Sequence, residues 1–366
     1  PRQGGLMTVA APPAAVSARA RHRPTTAGVV FRVVVVLFLV YAIGWLAAHS
    51  PEWTPLAIVA LVYAMVGLSL NILIGYTGQL SLGHQGFLGA GACAAAYVQT
   101  RVEAPFAIAV VSAVVVGALF ALVLGFVALR IRGLYLALIT LVFGLTLQSS
   151  LFLVPALTGG GAGQKADRPG FLQSNTHFYW FCLALVIVVL YLDSRLLASK
   201  AGRALLAIKE NERVAEAFGI NVVYYKLFGF VLSGAVGGLA GALFAYQSQQ
   251  FNGSDYDFFL ALTFVIITVV GGAGSRAGVV VAAAFFATQH HLFEKLTFVK
   301  TTFGTNVNQF FPDMVGVLLL LVTVIFQPRG IATIADPVVR WLRGGPFQMH
   351  PHDGGPAAVE GSRVRA

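Results

Sequence analysis

Polar and flexible residues stranded in apolar surroundings are where this sequence could do chemistry. The longest such interruption is Gly75-Tyr-Thr-Gly-Gln-Leu-Ser-Leu-Gly-His-Gln-Gly-Phe-Leu-Gly-Ala-Gly91, in which Gly78, Gln79, Ser81, His84 and Gln85 combine loosened backbone with uncharged donors and acceptors. Such groups suit the passage of a zwitterionic solute, and backbone released from helical geometry at membrane depth is tolerated where it is buried in protein or lines a cavity. Two plainer readings stay open: small residues that let helices pack closely, and a loop outside the membrane. Ser81 and His84 stand at i, i+3, within reach for a nucleophile and its base, yet no acidic partner completes a hydrolytic arrangement.

A second run, Thr158-Gly-Gly-Gly-Ala-Gly-Gln-Lys165, imitates a phosphate loop but lacks the Gly-Lys-Ser/Thr ending and a preceding strand. It reads as a flexible lip on the outer side, with Thr158 and Gly159 at its start. His290 and Glu294 lie one helical turn apart beside His291, without a third ligand at metal spacing, so no metal site is predicted. Cys93 and Cys182 sit singly in apolar stretches as packing residues. Gly234, Gly237, Gly238 and Gly241 have the spacing of a helix contact, whereas Gly271, Gly272, Gly274 and Gly278 mark a chain break beside Arg276. None of these groups calls for a cofactor.

The charge-rich exception is Ser199–Gly219, SKAGRALLAIKENERVAEAFG. As one helix it places Ala204, Ile208, Asn211, Ala215 and Phe218 on one face and Arg203, Lys209, Glu210, Glu212, Arg213 and Glu216 on the other, with Gly219 as the stop. The pattern fits a helix lying on a membrane surface or one that docks a protein. Mixed acid and base is the better chemistry for a protein surface.

The elements that position these groups are apolar. The 366 residues are 57% hydrophobic and 10% charged, with a mean hydropathy of +0.80, against about 25% charged in soluble domains. Charge-free windows run from Arg32 to Glu52, Glu52 to Arg101, Ala104 to Leu129, Gly133 to Gln164, Pro169 to Leu192 and Leu227 to Ser254. A bilayer-spanning helix needs roughly 20 apolar residues. Candidate spans are Val30–His49, Leu56–Gly75, Gln85–Thr100, Pro105–Leu129, Leu134–Pro155, Phe178–Ser194, Lys226–Gln247, Phe258–Gly271, Val279–Phe293 and Met314–Phe326. The fold expected is an all-α, polytopic integral membrane bundle of about 8–10 transmembrane helices, with a broken helix near 75–91. No acid or base appears in the second to fifth spans, so the chain has no evident means of powering transport itself.

With a cytoplasmic N-terminus, every Lys and Arg except Arg101, Lys165, Arg168, Lys295 and Lys300 falls on one side, the asymmetry of a cytoplasmic face. Both termini are then cytoplasmic, and this topology explains the net charge of +10 without nucleic acid. Residues 1–29 and 332–366 read as disordered cytoplasmic tails flanking a transmembrane domain over 30–331. The chain opens on Pro1, so either an initiator has been removed or Met7 is the start.

Several blocks together resemble the branched-chain amino-acid permeases of ABC importers. They are GLSLNILIGYTGQLSLGHQGFLGAGA within Tyr63–Tyr97, RIRGLYLALITLVFG at Arg130–Gly144, LTGGG at Leu157–Gly161, the stretch Gly202–Tyr246, GGAGSRAG at Gly271–Gly278 and FQPRGI at Phe326–Ile331. The KENE run Lys209–Glu212 and RIRGLYLA resemble the LivM type more than the LivH type.

The resemblance implies an inner-membrane permease that is not itself an enzyme and moves branched-chain or related amino acids. Its implied partners are a second homologous permease subunit, two ATP-binding subunits that carry out hydrolysis, a soluble substrate-binding protein outside, and membrane lipid. It makes Gly202–Gly219 the ATPase coupling loop, with Arg203, Lys209, Glu210, Asn211, Glu212, Ala215 and Gly219 as its candidate residues. The candidate pathway set is Gly78, Gln79, Ser81, His84, Gln85, Thr158 and Gly159. Two departures stand out: Phe143-Gly144-Leu145 where the family often has FGE, and Ala162 where it often has Asp before Gly163. Similar relatives import urea or short amides, and an ion-coupled carrier or channel is the rival from another class.

Overall fold

A computed structural model describes residues 50–128, 131, 133–159, 163–295 and 318. The expected spans at 30–49 and 314–326 (Leu318 apart), both tails and residues 160–162 lie outside the described residues. Helix α1 spans Trp53–Asn71 and runs on as a π-helix over Ile72–Thr77. Then follow α2 (His84–Arg101), α3 (Phe106–Ala128) and α4 (Leu134–Ser149), a short 3-10 turn and the single helical turn Pro155–Thr158. After α5 (Asn175–Ala198) come two short helices, α6 (Lys200–Glu210) and α7 (Glu212–Ala217), and then α8 (Val222–Ser248), α9 (Phe258–Gly271) and α10 (Arg276–Lys295).

The chain is a polytopic helical membrane bundle. Trp53–Thr77, Phe106–Val127, Leu134–Leu153, Asn175–Ala198 and Val222–Ser248 are long and apolar enough to cross a bilayer. Helix α3 shows the environment most clearly, because Ile108, Val111, Val115, Leu119, Val123 and Phe126 follow a helical stripe and are all exposed. Such a stripe would be costly in water and is at home in lipid.

Capping residues set where the elements begin. Asn221 accepts from the Tyr224 amide at the start of α8, and Asp257 from the Leu260 amide at the start of α9, which satisfies N–H groups that a helix leaves over. The core forms where α8 packs against α3, α2 and α1, with α10 and α5 also on α1. Glycine makes the α8 contacts possible. A Cβ at Gly234 would fall 2.5 Å from the Gly117 oxygen and one at Gly91 2.5 Å from Gly238 Cα, so the backbones meet with nothing between them.

At one end of the bundle, strand β1 (Gln164–Lys165) pairs antiparallel with β2 (Gln250–Phe251), Gln164 opposite Phe251. Arg168 fastens the same end. Its Nε and Nη2 donate to the Tyr246 and Gln247 carbonyls at 2.6 and 3.0 Å, Nη1 donates to Asn175 Oδ1 at 2.7 Å, and the guanidinium lies over the Phe178 ring. A cation there also meets the negative end of the α8 dipole. Burial draws the Arg168 pKa below its ordinary value, with Cys182 pulling weakly the other way.

The single helix expected over Ser199–Gly219 is two helices. Asn211 leaves helical geometry at φ −160° and ψ 110°, and its side-chain oxygen accepts from the Arg213 and Val214 amides, capping α7. Asparagine stabilises a helix start better than a helix interior. The face anticipated for one helix therefore divides: Ala204, Ile208 and Ala215 are buried, Asn211 is exposed, and Phe218 is 82% exposed.

Candidate solute pathway and coupling surface

The interruption after α1 is buried in the bundle. Gln79, Ser81, His84 and Gln85 are between 0% and 6% exposed, while Gly78 beside them is exposed. Freed backbone groups at such depth need partners. The Gln79 amide donates to the Leu73 carbonyl at 3.0 Å, the Leu82 amide to Thr140 Oγ1 at 2.9 Å, and Lys209 Nζ to the Gly75 carbonyl at 2.8 Å. Gly78 turns the chain with φ 69°, a left-handed conformation that glycine adopts without strain.

His84 stands at the centre of a hydroxyl network. Its Nδ1 is 3.2 Å from Ser81 Oγ and its Nε2 is 3.0 Å from Ser233 Oγ, while Ser233 Oγ donates to the Ser69 carbonyl at 2.7 Å and Ser69 Oγ to the Ser233 carbonyl at 2.6 Å. The group ties α1, α2 and α8 together. Ser233 lies ~16 Å along α8 from its start at Val222, so the network sits well inside the bundle.

Gln85 is the unusual member. It is fully buried, and neither its Nε2 nor its Oε1 has a hydrogen-bond partner among the described residues. A Cβ added to Gly144 would collide with its amide, so the glycine in Phe143-Gly144-Leu145 is what admits the side chain. Burying a primary amide unsatisfied is costly, and a solute or a water molecule could meet both its donor and its acceptor needs.

Thr158 and Gly159 do not join this group. Leu157 reaches Cys93, ~14 Å along α2 from His84, and Gln164, just beyond, donates to Thr100 near the far end of α2. Thr158 Oγ1 is already used by the Val154 carbonyl at 3.0 Å. The expected pathway set therefore falls into two places along the bundle. His291, considered for a metal, has its ring edge-on to Trp53 at 5.5 Å; His290 and Glu294 side chains lie outside those described.

The coupling candidates divide by role. Arg203 and Glu210 are exposed, Lys209 reaches the interrupted helix, and Asn211 caps α7. Glu212 pairs with Lys226 in the second turn of α8, and Ala215 packs with Ile208 and Val222. Gly219 ends α7 with φ 78° in open space. Leu205 of α6 also packs against Ile72 and Tyr76 of the π-helix, so α6 touches the interruption through apolar as well as charged contacts.

One cluster escaped sequence reasoning. Tyr76 donates to Asp193 Oδ2 at 2.8 Å, Arg276 Nε stands 3.3 Å from the same oxygen, Asn71 Nδ2 donates to the Tyr76 hydroxyl at 3.2 Å, and the Gly274 amide donates to Asn71 Oδ1 at 2.7 Å. It joins α1, α5 and the α9–α10 turn near the coupling helices. An acid inside the expected span Phe178–Ser194 and an arginine inside a glycine cluster were the signals, each without a visible partner.

A hydrogen-bonding interruption buried among apolar helices and linked to a charged surface segment is an arrangement that fits a membrane permease. The chain is a member of the family described as branched-chain amino acid transport system / permease component, whose model matches residues 54–326. It is 28% identical over 341 residues to the high-affinity branched-chain amino acid transport system permease protein LivM of Salmonella typhimurium, covering 86% of this chain and 77% of that one. The probable branched-chain amino acid transport permease protein LivH of Methanocaldococcus jannaschii is 27% identical over 42% of this chain and 47% of its own length. The autoinducer 2 import system permease protein LsrC of Yersinia pestis (strain Pestoides F) is 28% identical over 47% of this chain and 52% of its own. Among solved structures, PsaBC from Streptococcus pneumoniae in complex with Fab aligns with a TM-score of 0.40 at 16% identity, over 79% of this chain and 96% of that one.

Proposed function

We propose that this permease is one of two homologous membrane subunits of an ABC importer and carries branched-chain or related amino acids across the inner membrane. Two ATP-binding subunits dock on the cytoplasmic segment 199–219, a soluble binding protein delivers substrate from outside, and both termini face the cytoplasm. The transmembrane domain extends over 30–331. The observation that carries the reading is the bond from Lys209 to the Gly75 carbonyl, because it connects a charged surface helix to the interrupted helix inside the bundle.

In this scheme the ATPase subunits meet Arg203, Glu210 and the exposed face of α6–α7, and movement of α6 passes to Gly75 through Lys209. Gly78, Gln79, Ser81, His84 and Gln85 line the inner part of the solute path, and Thr158 and Gly159 belong to its outer end. The unmet amide of Gln85 supports a solute with both donors and acceptors, as an amino acid has. Urea and short amides share that chemistry.

The test is uptake by vesicles containing the permease with its ATPase subunits and binding protein. Lys209→Glu combined with Glu210→Lys is expected to leave ATP hydrolysis running while uptake falls. Wild-type uptake by the double variant removes the coupling assignment. Leucine, urea and acetamide supplied in parallel separate the substrate classes, and failure to retain any ATPase subunit on purification would favour an ion-coupled carrier.

A further inference from the structure

Among the described residues, helices α5 and α8 both pack on α1 but scarcely on each other, which leaves a slot between them. Leu68 and Ile72 of α1 form its floor, and Val189 and Leu192 of α5 and Phe228 and Leu232 of α8 form its walls. Its volume is about 330 Å³. The slot follows α8 from Phe228 to Val236, ~12 Å of helix. A hydrocarbon chain lying along that length has apolar side chains beneath it and on both sides.

The apolar walls end in polar residues at the end of α5, where Asp193, Arg195 and Ser199 line the slot. The Asp193 carboxylate is engaged by Tyr76 and Arg276. Arg195 is exposed, and its Nε donates to the Tyr191 hydroxyl at 3.0 Å, which holds the guanidinium beside the mouth. A guanidinium carries five N–H donors, so this bond leaves the fork that suits a phosphate. Lys200 and Arg203 follow on α6, both exposed or partly so, and no acidic residue occurs between Asp193 and Glu210.

We propose that this slot is a binding site for an anionic phospholipid, one acyl chain lying against α1 between α5 and α8 and the phosphate at Arg195. Apolar depth ending in cations matches the two halves of such a lipid, and basic pockets between membrane helices recognise anionic headgroups. The occupant touches α1 beside Ile72, where the π-helix begins, and α5 at the end that leads into α6. The site requires a membrane bundle only and stands whether or not the coupling assignment holds.

The test is native mass spectrometry of the full-length chain in detergent, titrated with phosphatidylglycerol or with phosphatidylcholine of the same acyl chains. Phosphatidylglycerol is expected to be retained about fivefold better, the factor for one cation near a phosphate. Arg195→Gln abolishes that preference, Leu232→Trp fills the slot and lowers retention of both lipids, and Lys165→Gln at the opposite end changes neither. Equal retention of the two lipids, insensitive to Arg195→Gln, would mean adventitious surface lipid and overturn the proposal. So would unchanged retention of both lipids by Leu232→Trp.

Discussion

Lys209 Nζ lies 2.8 Å from the carbonyl oxygen of Gly75, joining a surface helix to a buried π-helix across 134 residues of sequence. The lysine stem also rests on Gly78, where an added Cβ would stand 3.2 Å from Lys209 Cγ. A cation at the C-terminal end of a helix interacts favourably with its dipole, a contact worth about 0.3–1 kcal/mol at an exposed site. The energy is small. The position is what matters, because the bond ends on the carbonyl that the helix interruption has set free.

Lys209→Met should therefore change thermal stability by less than ~1 kcal/mol while reducing the substrate moved per ATP hydrolysed. Simultaneous measurement of uptake and phosphate release checks it. A parallel fall in both rates would point to lost folding or lost ATPase binding.

Tyr76→Phe removes a hydrogen-bond donor from Asp193, whose other oxygen has no partner among the described residues. The expected cost is about 1–3 kcal/mol, read as a lower melting temperature in detergent. Combined with Arg276→Met, the two losses should be non-additive by at least ~0.5 kcal/mol, since both partners hold the same oxygen. Strict additivity would mean that the cluster does not act as a unit.

Ser233→Ala takes one of the two hydroxyls from His84 and one of the crossed bonds to Ser69. A loss of about 0.5–1.5 kcal/mol in stability is expected from the bonds alone. If His84 borders the solute path, the apparent KM for uptake rises as well. An unchanged KM at equal expression argues that the network is only structural.

Arg168→Met breaks bonds to the Tyr246 and Gln247 carbonyls and to Asn175. It should cost about 3 kcal/mol, and Arg168→Lys about half of that, because lysine keeps the charge without the planar fork. Proteolysis near residues 163–172 reports the release of this segment. Equal stability of the two variants would show that the planar fork, rather than charge, holds it, and wild-type stability of Arg168→Lys would show the reverse.

Gly234→Ala places a methyl group against Ala121 and the Gly117 carbonyl, with overpacking expected to cost about 1–3 kcal/mol. Gly170→Ala, where an added Cβ meets nothing within 4 Å, is the control and should be neutral. Melting curves of the two variants decide the matter.

The apolar helices were legible because their signal is local. Phe258–Gly271 was read to the residue, and the spans at Pro105–Leu129 and Gln85–Thr100 end within a residue or so of α3 and α2. Hydrophobic length alone determines such segments. Asn211 was harder, since the same residue continues a helical face on a wheel and caps a new helix in space, and only its φ and ψ distinguish the two. The Asp193–Arg276 pair was invisible because the two residues approach only through the packing of α5 and α10 onto α1. The pathway set was legible by residue type and by order along the chain: glycine and polar residues marked the interruption, and the lip that begins at Thr158 and Gly159 was set apart from it, as its place toward the opposite end of α2 shows.

The bare backbone contacts of α8 have a mechanical consequence. Gly234 and Gly238 against Gly117, and Gly238 against Gly91, leave no layer of side chains that could shear, so α2, α3 and α8 have no low-cost way to slip past one another. Among the described residues, the seams that keep such freedom are the lightly held border between α5 and α8 and the joint where α1 loosens into its π-helix. Three helices form a chassis, and a hinge has to lie where glycine does not weld them.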